Sequence, residues 1–151
     1  MELFLPSFYS FIATLAFSVI FNIKGRNTWL AALGGGLSWF FYMLSLKYTV
    51  SQPLAFFYAS VAVAVYSEIM ARLRKCPVTI FIICGILPLV PGGGMYYTML
   101  ASVEGNVTKS LNTGLSTLTI AGAIAVGVIL VSSLTRLITF YYNKKSNCAK
   151  V

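Results

Sequence analysis

The segment between residues 82 and 99 is apolar enough to lie inside a lipid bilayer, yet it cannot form one continuous helix. Pro88 and Pro91 both lack an amide hydrogen, and three consecutive glycines, Gly92 to Gly94, follow directly. A proline removes a helical hydrogen bond, and glycine readily adopts backbone conformations outside the helical region. We therefore predict a helix that is broken over residues 88–94.

A broken helix inside a membrane leaves backbone groups that need partners. An unpaired backbone group in lipid is costly, so such a break persists only where protein covers it or where it lines a watery cavity. Discontinuous helices therefore point to transport sites in membrane proteins. Proline kinks without a ligand are also common in membrane helices, and the sequence leaves both interpretations open.

The composition predicts an all-α integral membrane protein. Of the 151 residues, 58% are hydrophobic and only 9% are charged, which excludes an ordinary soluble domain. Apolar stretches long enough to cross about 30 Å of hydrocarbon recur along the chain, and the alternating pattern of a membrane β-barrel is absent. We expect one transmembrane domain, a five-helix bundle whose fourth helix is broken. The expected spans are residues 3–23, 29–46, 54–71, 78–103 with the break at 88–94, and 115–139, with a polar loop over residues 104–113.

Small residues spaced four apart predict close contacts between helices. Such pairs are Ala31 with Gly35 and Ala32 with Gly36 in the second span, and Ala123 with Gly127 in the fifth. Small side chains allow two helix backbones to approach each other. Because small-residue faces are general to membrane bundles, we expect these pairs to serve packing.

The inventory of reactive side chains argues against an enzyme. The chain has no histidine and three acidic residues, and its cysteines, Cys76, Cys84 and Cys148, lack metal-ligand spacing. Neither a nucleophilic triad nor a metal site can be assembled from this set. We therefore expect no enzymatic activity, no metal and no cofactor. The net charge of +8 is dispersed among apolar runs, which indicates membrane topology and no nucleic-acid partner.

The basic residues predict the orientation of the chain in the membrane. With five spans, nine of the 11 Lys and Arg residues fall on one side, and only Lys47 and Lys109 fall on the other. Loops rich in Lys and Arg stay in the cytoplasm. We therefore expect a multi-pass protein with its N-terminus outside and its C-terminus in the cytoplasm. A re-entrant fourth segment would place the C-terminal basic cluster outside, and the same rule disfavours it.

Backbone and side-chain groups around the break form a candidate transport site. The amides of Gly93, Gly94 and Met95 are expected to be free at the start of a half-helix, where they suit a substrate carboxylate. The carbonyls freed by Pro88 and Pro91 could accept an ammonium or a cation. Nearby tyrosines could add hydroxyls, although tyrosines near an interface are more often belt residues. The candidate substrate-binding residues are Pro88, Pro91, Gly92, Gly93, Gly94, Met95, Tyr96, Tyr97 and Thr98.

Glu68 is the only carboxylate inside an expected span. Acidic residues at membrane depth are functional candidates, here for proton coupling. Arg72 lies four residues later, in the order that favours an ion pair on one helix face. The sequence therefore offers a coupling residue or an interfacial ion pair.

Phe21 and Asn22 precede a basic turn, Gly34 to Gly36 are followed by Trp39 and Tyr42, Ser67 and Glu68 are followed by Arg72 and Pro77, and the broken segment continues from Pro88 to Met99. The order of these features resembles the small subunit of the threonine/serine exporter family, which corresponds to the C-terminal half of fused exporters. The resemblance implies a subunit in a bacterial inner membrane that works with a larger five-span membrane partner. It also implies export of a small amino acid, threonine or serine, or of a small carboxylate such as succinate.

The odd number of expected spans agrees with that implication. A homologous five-span half placed before this chain would have the opposite orientation, which produces the inverted repeat common in secondary transporters. The two halves would enclose one site near the midplane. The alternative function is a non-transporting assembly or regulatory subunit of a membrane complex.

Overall fold

The protein folds into helices joined by short connections. The computed structural model describes residues 4–49 and 51–148, with side chains as far as Tyr141. Within these residues there are no strands, and a 3₁₀ turn, Leu87–Leu89, follows the fourth helix. The α-helices are α1 Phe4–Ile20, α2 Arg26–Tyr48, α3 Gln52–Arg74, α4 Val78–Ile86, α5 Gly92–Val103 and α6 Val107–Cys148.

The turns between helices use backbone conformations that stop a helix. Gly25 before α2 and Gly105 before α6 have φ values of 71° and 74°, a region that glycine enters at little cost. Lys75 ends α3 in the left-handed conformation, and Pro77 then precedes α4. The predicted loop over residues 104–113 is therefore too long, because α6 already begins at Val107.

Small side chains bring neighbouring helices together. Gly35 of α2 lies directly against Thr14 of α1, and Gly127 of α6 lies directly against Ser60 of α3. A Cβ atom at either glycine would overlap the facing hydroxyl. The expectation that these glycines serve close packing is confirmed at both positions.

The contacts between α3 and α6 show that the two helices run in the same direction. Ser60 faces Gly127, and twelve residues further along both helices Arg72 contacts Thr139. The α4 helix runs the opposite way and packs against both α2 and α3. We call the end of the bundle where α3 ends the basic end, because Arg72 and Arg136 lie there.

The break is anchored at the other end of the bundle by one buried side chain. Leu89 has no exposed surface and joins an apolar cluster with Tyr42, Phe56 and Ile124. The rings of Tyr42 and Phe56 lie with their centroids 4.4 Å apart. Because this cluster combines α2, α3 and α6, the 3₁₀ turn is held between three helices.

The described chain has three or four candidate membrane spans. The α2 helix, the α3 helix and Val107–Tyr141 of α6 are long and apolar enough to cross a membrane. Val78–Leu89 and Gly92–Val103 qualify together, although they are bent by 52°. The α1 helix has 17 residues, about 25 Å at the usual rise, which is shorter than a typical span. The all-helical prediction is confirmed, whereas the five-span count stays a prediction.

Candidate functional site

The backbone between α4 and α5 departs from helical geometry over fewer residues than expected. Val90, with ψ of 124°, and Pro91, with ψ of 56°, are the non-helical residues. Gly92 begins α5, and none of the three glycines there has a positive φ. The prediction that these glycines leave the helical region is therefore wrong. Proline prevents continuation of the helix at this point, and the glycines then adopt ordinary helical angles.

Two of the three amides predicted to be free at the start of α5 have no acceptor. The amides of Gly93 and Gly94 donate to no other group in the described part of the chain. The amide of Met95 donates to the carbonyl oxygen of Pro91 at 3.2 Å, which corrects the prediction for that residue. The first amides of a helix have no acceptor in the preceding turn, and here no side chain caps them.

The carbonyl groups at the break are less available than expected. The amide of Val90 donates to the carbonyl oxygen of Leu87 at 3.3 Å, within the 3₁₀ turn. Pro91 therefore does not leave the Leu87 carbonyl unpaired. On the α1 side, Pro88 faces a cavity of about 350 Å³. The other residues that line this cavity are Pro6, Tyr9, Ser10, Ala13 and Trp39.

The three glycines of α5 have different surroundings. A Cβ atom at Gly94 would overlap the side chain of Thr117 in α6. A Cβ atom at Gly92 or Gly93 would meet no described atom within 4 Å. Close packing therefore explains glycine at position 94. Neither packing within this chain nor a positive φ explains glycine at positions 92 and 93.

Hydroxyl groups join α5 to α6, and α5 packs against no other described helix to a comparable extent. The hydroxyls of Ser102 and Ser110 lie 2.7 Å apart, and the Ser110 hydroxyl also lies 3.1 Å from the carbonyl oxygen of Thr98. The Thr98 hydroxyl donates to the carbonyl oxygen of Gly94 at 2.7 Å. Thr98 thus belongs to the helix pair, whereas the rings of Tyr96 and Tyr97 are exposed.

Glu68 lies far from the break. It follows Ala59, which belongs to the cluster around Leu89, by nine positions along α3, or about 13 Å. The predicted ion pair with Arg72 is absent from the described residues. Arg72 instead donates to the Thr139 hydroxyl at 2.6 Å and to the Thr135 carbonyl oxygen at 3.5 Å, both in α6.

Glu68 faces a cavity of about 510 Å³ at the basic end, between α3, α4 and α6. Sequence reasoning missed this cavity, although the spacing of the α6 residues contains a signal. Positions 132, 135, 136 and 139 share one helix face and are all polar. The cavity is lined by Glu68, Arg72, Val78, Thr79, Ile82, Ser132, Thr135, Arg136, Thr139 and Phe140.

The architecture defines a class of protein. An α-helical bundle with membrane-spanning helices and one helix pair bent at prolines is typical of multi-pass membrane transporters. The family model described as "Threonine/Serine exporter, ThrE" matches residues 6–134. The chain therefore belongs to the threonine/serine exporter family, a family of transporters and not of enzymes. No curated protein and no solved structure matches the chain.

Proposed function

We propose that this chain is the membrane subunit of a two-component secondary exporter of small amino acids or small carboxylates. The break between α4 and α5 then forms part of the transport path. The observation that carries the proposal is the open backbone at the start of α5. The amides of Gly93 and Gly94 lack acceptors, and the Cα atoms of Gly92 and Gly93 face no other described part of the chain.

Free amides at a helix start suit a carboxylate. They point out of the helix end, where the helix dipole favours negative charge. At membrane depth they need a partner, because lipid offers no hydrogen-bond acceptor at its centre. A substrate carboxylate that binds transiently at Gly93 and Gly94 would accept hydrogen bonds from their amides during transport. Tyr96 and Tyr97 are exposed and follow Gly94 by two and three positions, so their hydroxyls would line the same path.

The open side of the break also supports a second subunit. The α5 and α6 helices supply one wall of the path. Gly92 and Gly93 have no described atom within 4 Å of an added Cβ atom, which leaves room for the surface of another subunit. A larger five-span subunit of the same family, inserted with the opposite orientation, would supply the second wall. In this arrangement the chain has five spans, with its N-terminus outside and its C-terminus in the cytoplasm of a bacterial inner membrane.

The test is transport by purified components. We expect flux of labelled threonine, serine or succinate from vesicles that contain both subunits, and none above empty vesicles when this chain is omitted. Flux that persists without this chain would contradict the proposal and favour the assembly or regulatory role. Flux from this chain alone would contradict the two-component arrangement.

A further inference from the structure

The cavity at the basic end contains opposite charges that do not pair with each other. Glu68 is half-buried and forms no hydrogen bond or ion pair with any described residue. Arg136 is exposed, lines the same cavity from α6 and also has no described partner. Charges of opposite sign attract most strongly at contact distance. Here both charges line one cavity without forming an ion pair.

Arg72 lines the same cavity but forms no ion pair with Glu68 among the described residues. Its guanidinium is held on the α6 side by the Thr139 hydroxyl and the Thr135 carbonyl oxygen. Two further polar groups of the lining, the hydroxyls of Thr79 and Ser132, also lack partners among the described residues. The cavity therefore presents the Glu68 carboxylate, the Arg136 guanidinium and two hydroxyls without described partners, beside the Arg72 guanidinium that is bonded to α6.

We propose that this cavity binds a free amino acid as a zwitterion. The Glu68 carboxylate accepts hydrogen bonds from the α-ammonium group, and the Arg136 guanidinium donates to the α-carboxylate. This assignment rests on the proposed export function and names the cavity as the site where substrate is first bound, before it reaches the break. The volume of about 510 Å³ falls in the range of roughly 300–1,000 Å³ typical of small-molecule sites.

The charge pattern selects among small ligands. A dicarboxylate could bind Arg72 and Arg136, but it would bring further negative charge near Glu68, which is unfavourable, and would leave Glu68 without a partner. A simple anion such as phosphate would leave Glu68 without a partner. A zwitterion supplies both missing partners, and a hydroxyl on its side chain could bond Thr79 or Ser132. Threonine and serine have such a hydroxyl.

The test measures binding of three matched probes to the purified full-length chain in phosphatidylcholine nanodiscs. L-Threonine carries both charges, L-threoninamide lacks the carboxylate, and 3-hydroxybutyrate lacks the ammonium group. The variants are Glu68→Gln and Arg136→Gln. The matched controls are Glu104→Gln and Arg26→Gln, which remove exposed charges that do not line the cavity.

Each variant should weaken only the ligands that carry the group it binds. We expect Glu68→Gln to weaken threonine and threoninamide about tenfold, as for loss of one charge-assisted hydrogen bond, and to leave the affinity for 3-hydroxybutyrate unchanged or higher, because a nearby negative charge is removed. Arg136→Gln should weaken threonine and 3-hydroxybutyrate by a similar factor and leave the affinity for threoninamide unchanged or higher, because a nearby positive charge is removed. The two controls should bind all three probes like the unmodified chain.

Three outcomes would overturn the assignment. The first is absence of threonine binding, and the second is equal weakening of all three probes by each variant. The third is displacement of threonine by phosphatidylethanolamine included in the discs, because the cavity would then be a lipid site. Failure of this binding experiment can be distinguished from failure of the export experiment. The probe pattern can appear in a chain that shows no export, and export can occur without the probe pattern.

Discussion

Gly94 in α5 lies so close to Thr117 in α6 that no Cβ atom fits between them at position 94. This contact sets the approach of the two helices directly after the break. The Thr117 hydroxyl donates to the carbonyl oxygen of Thr113 in its own helix at 2.7 Å, so it is not needed to hold α5. The contact therefore depends on shape more than on hydrogen bonding.

The first prediction uses this contact. Gly94→Ala should destabilise the protein by roughly 1–3 kcal/mol, the usual cost of overpacking. Thr117→Ala in the same chain should recover most of the loss, because it removes the overlapping hydroxyl and methyl groups. The measurement is unfolding by a denaturing detergent, with Thr117→Ala alone as the control. A double variant as unstable as Gly94→Ala would show that the contact does not limit the packing.

The second prediction separates Gly93 from Gly94. In Gly93→Ala the new methyl group meets no described atom within 4 Å, and alanine has a higher helix propensity than glycine. Gly93→Ala should therefore fold at least as well as the unmodified chain. If substrate or the partner approaches this backbone, export should fall about tenfold for each 1.4 kcal/mol of added barrier.

The matched control for Gly93 is Gly122→Ala in α6, where an added Cβ atom also meets no described atom within 4 Å. Export should be normalised to the amount of assembled complex in both variants. Equal, near-normal rates would leave the break as a structural kink. A selective loss in Gly93→Ala would support its place on the transport path.

The third prediction concerns the anchor of the break. Leu89 is fully buried, so Leu89→Ala should leave a cavity between α2, α3 and α6 and cost about 2 kcal/mol or more. Val90 is the next residue and is 53% exposed, so Val90→Ala should change stability little. Unfolding of the two variants under identical conditions compares them directly. Similar stabilities would mean that Leu89 does not hold the 3₁₀ turn.

The fourth prediction tests the orientation expected from the basic residues. A variant that retains only Cys148 should resist an impermeant thiol reagent applied to intact cells, because the C-terminus is expected in the cytoplasm. A lone cysteine introduced by Lys47→Cys should react. Reaction of Cys148 from outside, with protection at position 47, would reverse the topology.

The local chemistry of the sequence was sufficient for the helical fold and the position of the break. Apolar runs of membrane-spanning length can pair their backbone groups only by forming helices here, and Pro91 has no amide hydrogen in any environment. The start of α5 was less predictable, because Gly92 to Gly94 can adopt helical or non-helical angles. Contact between Gly94 and Thr117 is one constraint from outside the segment that holds them in a helix.

The partners of the polar side chains were decided by tertiary structure. Glu68 and Arg72 have the spacing of an ion pair on one helix, yet Arg72 bonds to Thr139, 67 positions away in sequence. A pair four residues apart on a helix gains only about 0.2–0.5 kcal/mol, so a well-placed group on a neighbouring helix can replace it. The sequence determined which charged groups lie at the basic end. The packing of α3, α4 and α6 alone determined that Glu68 and Arg136 share a cavity without pairing.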